Sequence, residues 1–332
     1  MAVRNLHSYM SEIMKKERIL ELDMAKGVFI LLMVLFHLGL FNTTYPYFCQ
    51  IIYAFIMAGF MLISGYLFSV NKEPRQFMKG LYGIVVPYCV FEIVYLLGVG
   101  ALGESLGASN TFDGGVLALL GKVALSPSGT FWYLHTMAIC LTVYYLVNRY
   151  VVKGLSGILI SAVILYALSL AIAGLRWGDA INFIIGFLFR YANWEIKEKL
   201  KSPVSLLCFV LICVFANDIS RDSVVSIGLA FTSLGFIFDL KERIPKCLSN
   251  FIAYIGRNSF AIFLFSPFFT VFTKFYAPLF AFDGSAILWT IFSLSLVVSL
   301  CLFSAMLFDR LSLSRIIVGK NMYSSYKPMA KD

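Results

Sequence analysis

Ten apolar segments recur along this chain of 332 residues, and most are long enough to cross a lipid bilayer as a helix. Hydrophobic residues make up 60% of the sequence and charged residues 14%, against about 45–50% and about 25% in soluble domains. We therefore predict an all-α integral membrane protein, a bundle of about ten transmembrane helices. The predicted spans are 24–41, 46–70, 80–101, 131–148, 154–174, 178–192, 203–217, 223–240, 250–273 and 285–309.

The positive charges predict how this bundle is oriented. Cytoplasmic loops of membrane proteins are enriched in lysine and arginine, and this rule also explains the net charge of +9 without a nucleic-acid partner. We predict that both termini are cytoplasmic, with 1–20 and 310–332 flanking a single transmembrane domain in a bacterial inner membrane. Of the 27 lysines and arginines, this topology leaves four on the outer side: Lys122, Arg176, Arg221 and Lys274.

The cysteines, the N-terminal segment and one short apolar stretch give three further predictions about the chemistry and topology of the protein. The seven cysteines lie mostly in apolar segments and form no CxxC pair, so we expect no metal and no redox site. Residues 1–18 are polar and basic, and the segment after them is long enough to span, which predicts no cleaved signal peptide. The apolar stretch 116–125 is too short to span and predicts an interfacial helix.

Lys26 and His37 share one stripe of the first predicted span. An α-helix turns by about 100° per residue, so positions eleven residues apart face nearly the same way. Asp23 lies on the same stripe. His37 would lie about 16 Å further along the axis than Lys26, near the middle of the bilayer. An ionisable group at that depth predicts a functional site, with the neutral imidazole as a general base; the alternative is a histidine that packs between helices.

Glu92 in the third span is predicted at a similar depth. Counted from Gly80, it lies about 18 Å along the helix, so Glu92 and His37 meet if their helices pack together. A carboxylate beside an imidazole would orient it and stabilise its protonated form. The alternatives are a protonated acid at a helix contact and a proton relay in a transporter.

A group of cations is predicted at the cytoplasmic ends of the first three spans. If these helices pack together, the cations form a site for a phosphate-rich ligand. The alternative is the ordinary excess of positive charge on the inner side. The group consists of Lys26, Lys72, Arg75 and Lys79.

Three aromatic side chains open the fourth span in the segment SPSGTFWYLHTM. Trp132, Tyr133 and His135 lie where interfacial anchors collect. They also suit a platform for a sugar ring, because aromatic faces stack on the apolar faces of pyranoses.

Several segments resemble the membrane acyltransferase-3 family in order along the chain. RILELDMAKGVFILLMVLFH is similar to its first helix, with a basic residue, ten intervening positions and a histidine. FIMAGFMLISGYLF resembles the second helix, and RQFMKGLYGIVVPY resembles the arginine-bearing start of the third. GTFWYLHTM, INFIIGFLF and IGRNSFAIFLFSP resemble later segments. The resemblance covers nearly the whole chain.

The resemblance implies transfer of an acyl group, usually acetyl, from cytoplasmic acyl-CoA to a hydroxyl group. It implies His37 as the catalytic base, and Lys26, Arg75 and Lys79 as residues that hold the CoA phosphates or orient the thioester. The chain departs from the family pattern at three positions. Lysine replaces the commoner arginine at Lys26, a second arginine is replaced by Tyr82, and a histidine by Ser266.

The sequence thus predicts a membrane O-acyltransferase that modifies a cell-surface or lipid-linked glycan with an acyl group from acetyl-CoA. His37 would act as base, with Glu92 supporting the imidazolium and Lys26 near the developing oxyanion. Direct transfer and an acyl-His37 intermediate remain open, as do the acceptor and the acyl group. The alternative is a proton-coupled transporter or flippase that uses His37 and Glu92 as a relay. No metal is expected, and glycan-assembly proteins are possible partners.

Overall fold

The computed structural model of the chain describes residues 19–106, 114–216 and 218–325, and these residues are helical apart from their connecting turns. A π-helical turn (Val147–Val151) extends the sixth helix, and a short 3₁₀ turn (Ala277–Phe280) precedes the fourteenth. The α-helices are α1 (Leu20–Phe36), α2 (Gly39–Thr44), α3 (Pro46–Leu67), α4 (Pro74–Leu106), α5 (Val116–Leu125), α6 (Trp132–Leu146), α7 (Leu155–Ala171), α8 (Trp177–Tyr191), α9 (Ile196–Leu200), α10 (Ser205–Phe215), α11 (Val224–Arg243), α12 (Lys246–Arg257), α13 (Ser259–Phe272), α14 (Ile287–Arg310) and α15 (Leu313–Ile317).

The predicted all-α fold is confirmed. Each of the ten predicted spans coincides with helix over most of its length, and the predicted short helix at 116–125 is α5. The reason is physical: in hydrocarbon, a backbone must satisfy its N–H and C=O groups internally, and the helix does so within one segment.

Four of the described helices are long and apolar enough to cross a membrane. They are Pro46–Leu67, Pro74–Gly98, Val224–Arg243 and Ile287–Arg310. The pair α12 and α13 adds a fifth if it is counted as one span bent by 72°. Shorter apolar helices, α5, α7 and α10, accompany them. The chain is therefore a multi-pass membrane protein, although fewer helices meet the spanning criteria than the ten segments predicted.

The first predicted span is not one continuous helix. α1 ends at Phe36, His37 follows with ψ near 0°, and α2 begins only at Gly39. At this ending the His37 imidazole Nδ1 lies 2.7 Å from the Met33 carbonyl oxygen, which the His37 backbone N–H also contacts at 3.3 Å. His37 therefore lies at a helix end inside the protein, and the prediction of a helix running through it is wrong.

The ninth predicted span is also interrupted. It consists of α12 and α13, which meet at Asn258 with a bend of 72°. The Asn258 side chain is held at the bend by the backbone of Ser324: Oδ1 accepts from its N–H at 2.8 Å, and Nδ2 donates to its carbonyl at 3.0 Å. A third bond joins Nδ2 to the Tyr254 carbonyl. A segment near the C-terminus thus satisfies the polar groups at the break.

Glycines allow the closest helix crossings. A Cβ on Gly186 of α8 would collide with the Leu62 carbonyl oxygen of α3, and one on Gly256 of α12 would collide with the Asp23 carbonyl oxygen of α1. Small residues permit such approach in membrane bundles, where packing rather than the hydrophobic effect drives helix association. These crossings fix α1, α3 and α8 around the site described below.

A single methyl group tests the α3–α8 crossing. We expect Gly186→Ala to lower the midpoint of thermal unfolding of the detergent-purified protein, by the equivalent of about 1–3 kcal/mol for overpacking. Gly80→Ala is the matched control, because a Cβ there meets nothing within 4 Å and alanine favours helix. If the unfolding midpoint of Gly186→Ala is not lower than that of the unchanged protein, the close crossing is contradicted.

Candidate active site

A cavity of about 420 Å³ lies where α1 ends and α6 begins. We call it the His37 cavity. Helices α1, α3, α4 and α6 contribute to its wall, together with the loops that precede α6, α8 and α11. Its lining residues are Phe36, His37, Tyr53, Ile56, Met57, Tyr95, Ser126, Pro127, Gly129, Thr130, Trp132, Ala173, Gly174, Arg176 and Arg221.

The His37 imidazole presents one nitrogen for chemistry. Nδ1 contacts the Met33 carbonyl oxygen at 2.7 Å, and a carbonyl can only accept, so Nδ1 carries a hydrogen. In the neutral ring Nε2 then holds a lone pair. The Phe36 ring lies against the imidazole edge-on, with centroids 5.0 Å apart. A neutral imidazole fixed in this tautomer beside a cavity has the properties of a general base.

Arg221 ties three helices together at the cavity wall. Its Nε donates to Asp179 Oδ1 of α8 at 3.1 Å, and its Nη2 donates to Asp179 Oδ2. Nη1 donates to the Tyr53 hydroxyl of α3 at 3.2 Å. The guanidinium also stacks on the Trp132 ring of α6, 3.3 Å from its centroid. Tyr53 in turn stacks on Phe36, next to His37. One loop residue therefore connects the helices that surround the base.

The charge of Arg221 is stabilised by its partner. Burial disfavours the charged form, but the Asp179 carboxylate outweighs it, so the pKa of Arg221 is raised. Both side chains are almost fully buried. Asp179 lies in the first turn of α8, where the helix dipole favours a negative charge. Beside this pair, Arg176 Nη1 donates to Asp222 Oδ2 at 2.8 Å in a half-exposed ion pair.

Glu92 lies behind the cavity wall and does not hydrogen-bond to His37. Its Oε1 accepts from the Ser128 backbone N–H at 2.6 Å, in the loop that supplies Ser126 and Thr130 to the lining. Oε2 has no hydrogen-bond partner among the described residues. The carboxyl group thus holds this loop, and support of the imidazolium by Glu92 stays a prediction.

Of the three aromatic residues predicted to form a platform, Trp132 lines the cavity and the other two are directed elsewhere. The Tyr133 hydroxyl is 3.0 Å from Ser64 Oγ of α3. His135 Nε2 contacts the Ala124 carbonyl oxygen at 2.9 Å. Because Arg221 covers one face of Trp132, a ligand ring can stack only on the opposite face.

The predicted cationic group divides into paired and unpaired members. Lys26 Nζ lies 2.9 Å from Asp23 Oδ1, three residues away on α1. Arg75 and Lys79 are exposed, one turn apart on α4, and neither forms an ion pair with a described residue. Lys26 lies ten positions before Phe36, about 15 Å from the helix end. Its predicted role beside the oxyanion stays a prediction.

Sequence reasoning missed Tyr53, Asp179 and Arg221 as parts of this site. Asp179 and Arg221 are 42 positions apart, and no local pattern joins them. One signal was available, because Arg176 and Arg221 are two of the four cations on the predicted outer side, against the general bias.

The chain is thus a helical membrane protein with an imidazole at a cavity lined by aromatic and hydrogen-bonding side chains. These are parts that a membrane-embedded group-transfer enzyme needs. The family model Acyl_transf_3, described as an acyltransferase domain, matches residues 19–306. The chain belongs to this acyltransferase 3 family, which confirms the resemblance seen in its sequence, and it is an acyltransferase. Comparison with curated proteins and with solved structures finds no match.

The two ion pairs at the cavity should differ greatly in their effect on stability. We expect Asp179→Asn to cost about 3–5 kcal/mol of unfolding free energy, because it leaves a buried guanidinium without its carboxylate. The matched control Asp222→Asn, at the half-exposed pair, should cost about 0–1 kcal/mol. Thermal unfolding of both variants in detergent gives the comparison, and equal midpoints would contradict the buried position of Arg221.

Proposed function

We propose that this acyltransferase is an O-acetyltransferase that moves an acetyl group from cytoplasmic acetyl-CoA to a hydroxyl group of a cell-surface or lipid-linked glycan. The observation that carries the proposal is the His37 imidazole, which is fixed through Nδ1 and lies at a cavity, in a chain of the acyltransferase 3 family. The alternative sequence interpretation, a transporter, finds no support in this family membership.

In the proposed reaction, His37 Nε2 takes the proton of the acceptor hydroxyl as its oxygen attacks the thioester carbonyl. The new C–O bond forms the ester and the C–S bond breaks. The imidazolium then returns the proton to the leaving thiolate, which gives free CoA and restores the base. An acyl-His37 intermediate is a second route to the same products.

Arg75 and Lys79 are the proposed ligands of the donor's phosphate groups. Both are exposed, and neither has an ion-pair partner among the described residues, which supports this role because charge-assisted hydrogen bonds to phosphate need free cations. Lys26, paired with Asp23, is proposed to border the path between the phosphates and His37. Lys26 and His37 are about 16 Å apart along α1, a distance that the long, flexible pantetheine arm of CoA can bridge.

The proposed topology has ten crossings, both termini in the cytoplasm and the His37 cavity towards the outer side of a bacterial inner membrane. The coincidence of every predicted span with helix supports it. The distribution of lysine and arginine supports it as well. In this topology, Arg75 and Lys79 face the cytoplasm, where acetyl-CoA is made, and Trp132 faces the acceptor.

Removal of the imidazole should stop acetyl transfer but leave binding of the donor unchanged. We expect His37→Ala to lower acetyl transfer by about 10²–10⁴-fold, the usual contribution of a general base, and to leave the Kd for CoA unchanged. Free imidazole added to this variant should restore part of the rate. An undiminished rate in His37→Ala would show that His37 is not the base. If the unchanged protein does not bind CoA at millimolar concentration, acetyl-CoA is not the donor.

Loss of either exposed cation on α4 should weaken donor binding. Arg75→Ala and Lys79→Ala should each raise the Kd for CoA roughly tenfold, since a hydrogen bond to a charged group contributes about 1.5–3 kcal/mol. Arg149→Ala removes one exposed, predicted cytoplasmic charge elsewhere and serves as the control. With 3′-dephospho-CoA as ligand, the variant that contacts the 3′-phosphate should lose its effect. Equal Kd values in all three variants would refute this assignment.

A further inference from the structure

Two arginines line the His37 cavity on the side where positive charge is least expected. Arg176 and Arg221 both contribute to the wall. Unpaired guanidinium groups at such a place would indicate an acceptor that carries carboxylate or phosphate. The pairing of the two arginines therefore decides which class of acceptor the cavity fits.

Each arginine already has a carboxylate of its own. Asp179 accepts two hydrogen bonds from Arg221, and Asp222 accepts one from Arg176 at 2.8 Å. Behind the wall, the loop that precedes α6 contacts one more group of each kind: Glu92 of α4 accepts from the Ser128 N–H, and Lys122 Nζ of α5 is 3.5 Å from the Ser128 hydroxyl. Each of the two arginines in the cavity wall is thus paired with an aspartate.

An anionic acceptor would be disfavoured in this environment. It would lose its hydration shell on entering, and its attraction to each arginine would be offset by repulsion from the neighbouring aspartate. A group without charge avoids both costs.

The same arrangement leaves donors for hydroxyl groups. Arg221 has five N–H bonds and uses three of them on Asp179 and Tyr53, which leaves two for a ligand. The Tyr53 and Tyr95 side chains and the uncovered face of Trp132 complete a wall of hydrogen-bonding and stacking groups. Such a wall suits a polyhydroxylated ring.

We propose that the His37 cavity selects an acceptor group that carries no net charge, and that Asp179 and Asp222 determine this selectivity by neutralising Arg221 and Arg176. The inference rests on the proposed function, since it describes the acceptor of the same reaction. It predicts a neutral sugar hydroxyl, rather than a hydroxyl beside a carboxylate or phosphate, as the position that receives the acetyl group.

A matched pair of acceptors tests the proposal. Methyl β-D-glucuronamide and methyl β-D-glucuronate have the same hydroxyl groups and differ by one charge. With acetyl-CoA as donor, the unchanged protein should acetylate the amide about tenfold faster than the acid. Asp222→Asn frees Arg176 and should reduce this ratio several-fold. Asp218→Asn, the same change at an exposed position of the same loop, should leave the ratio unaltered. Equal rates, or a preference for the acid, in the unchanged protein would overturn the proposal.

A second measurement needs neither donor nor acceptor. Ser126→Cys places a thiol at the cavity, in a background where the exposed Cys208 and Cys247 are replaced by serine. Anionic and cationic methanethiosulfonates should react with it in the same ratio as with free cysteine. Asp222→Asn should raise the rate of the anionic reagent several-fold. A strong anionic preference before that change would refute the charge balance. If neither glycoside is acetylated, the result counts against the proposed glycan acceptor, and the labelling ratio still decides the charge of the cavity.

Discussion

A polar group inside a membrane protein must find its partner within the protein, and the end of α1 shows how this chain meets that constraint. Where the helix stops at Phe36, the Met33 carbonyl receives both the His37 N–H and the His37 side chain. The same bond fixes the tautomer of the imidazole and leaves its second nitrogen for chemistry. The interruption redirects the chain after His37, so that α2 begins only at Gly39.

At the cavity, where the helices do not pack tightly, an ion pair and its hydrogen bonds fix the wall around His37. Arg221 lies in a loop, yet it contacts α3, α6 and α8 through Tyr53, Trp132 and Asp179. A buried ion pair is not a strong source of stability, since desolvation offsets most of the attraction. Its directional bonds instead restrict where three helix ends and one loop can lie. The ion pair therefore adds little to the stability of the protein but defines the shape of the site.

Hydropathy predicted the helices because every spanning segment must be apolar and helical. The apolar composition of each segment can be read from its own residues alone. Hydropathy did not predict where helices stop. The sequence around His37 has no proline, and no hydropathy window detects that α1 ends at Phe36. The bend at Asn258 depends on Ser324, 66 positions away. The Asp179–Arg221 pair is similarly distant in sequence. His37 and Trp132, which the sequence singled out, both line the cavity.

The anchoring of Asn258 by Ser324 has a consequence for biosynthesis. The chain is made from its N-terminus, so α1 to α13 leave the ribosome before the residue that satisfies the bend between α12 and α13. During that interval the Asn258 amide lacks two of its hydrogen bonds. α12 packs against α1, which carries Lys26 and leads to His37. The helices α1 to α13 can therefore enter the bilayer before the two bonds between Asn258 and Ser324 form.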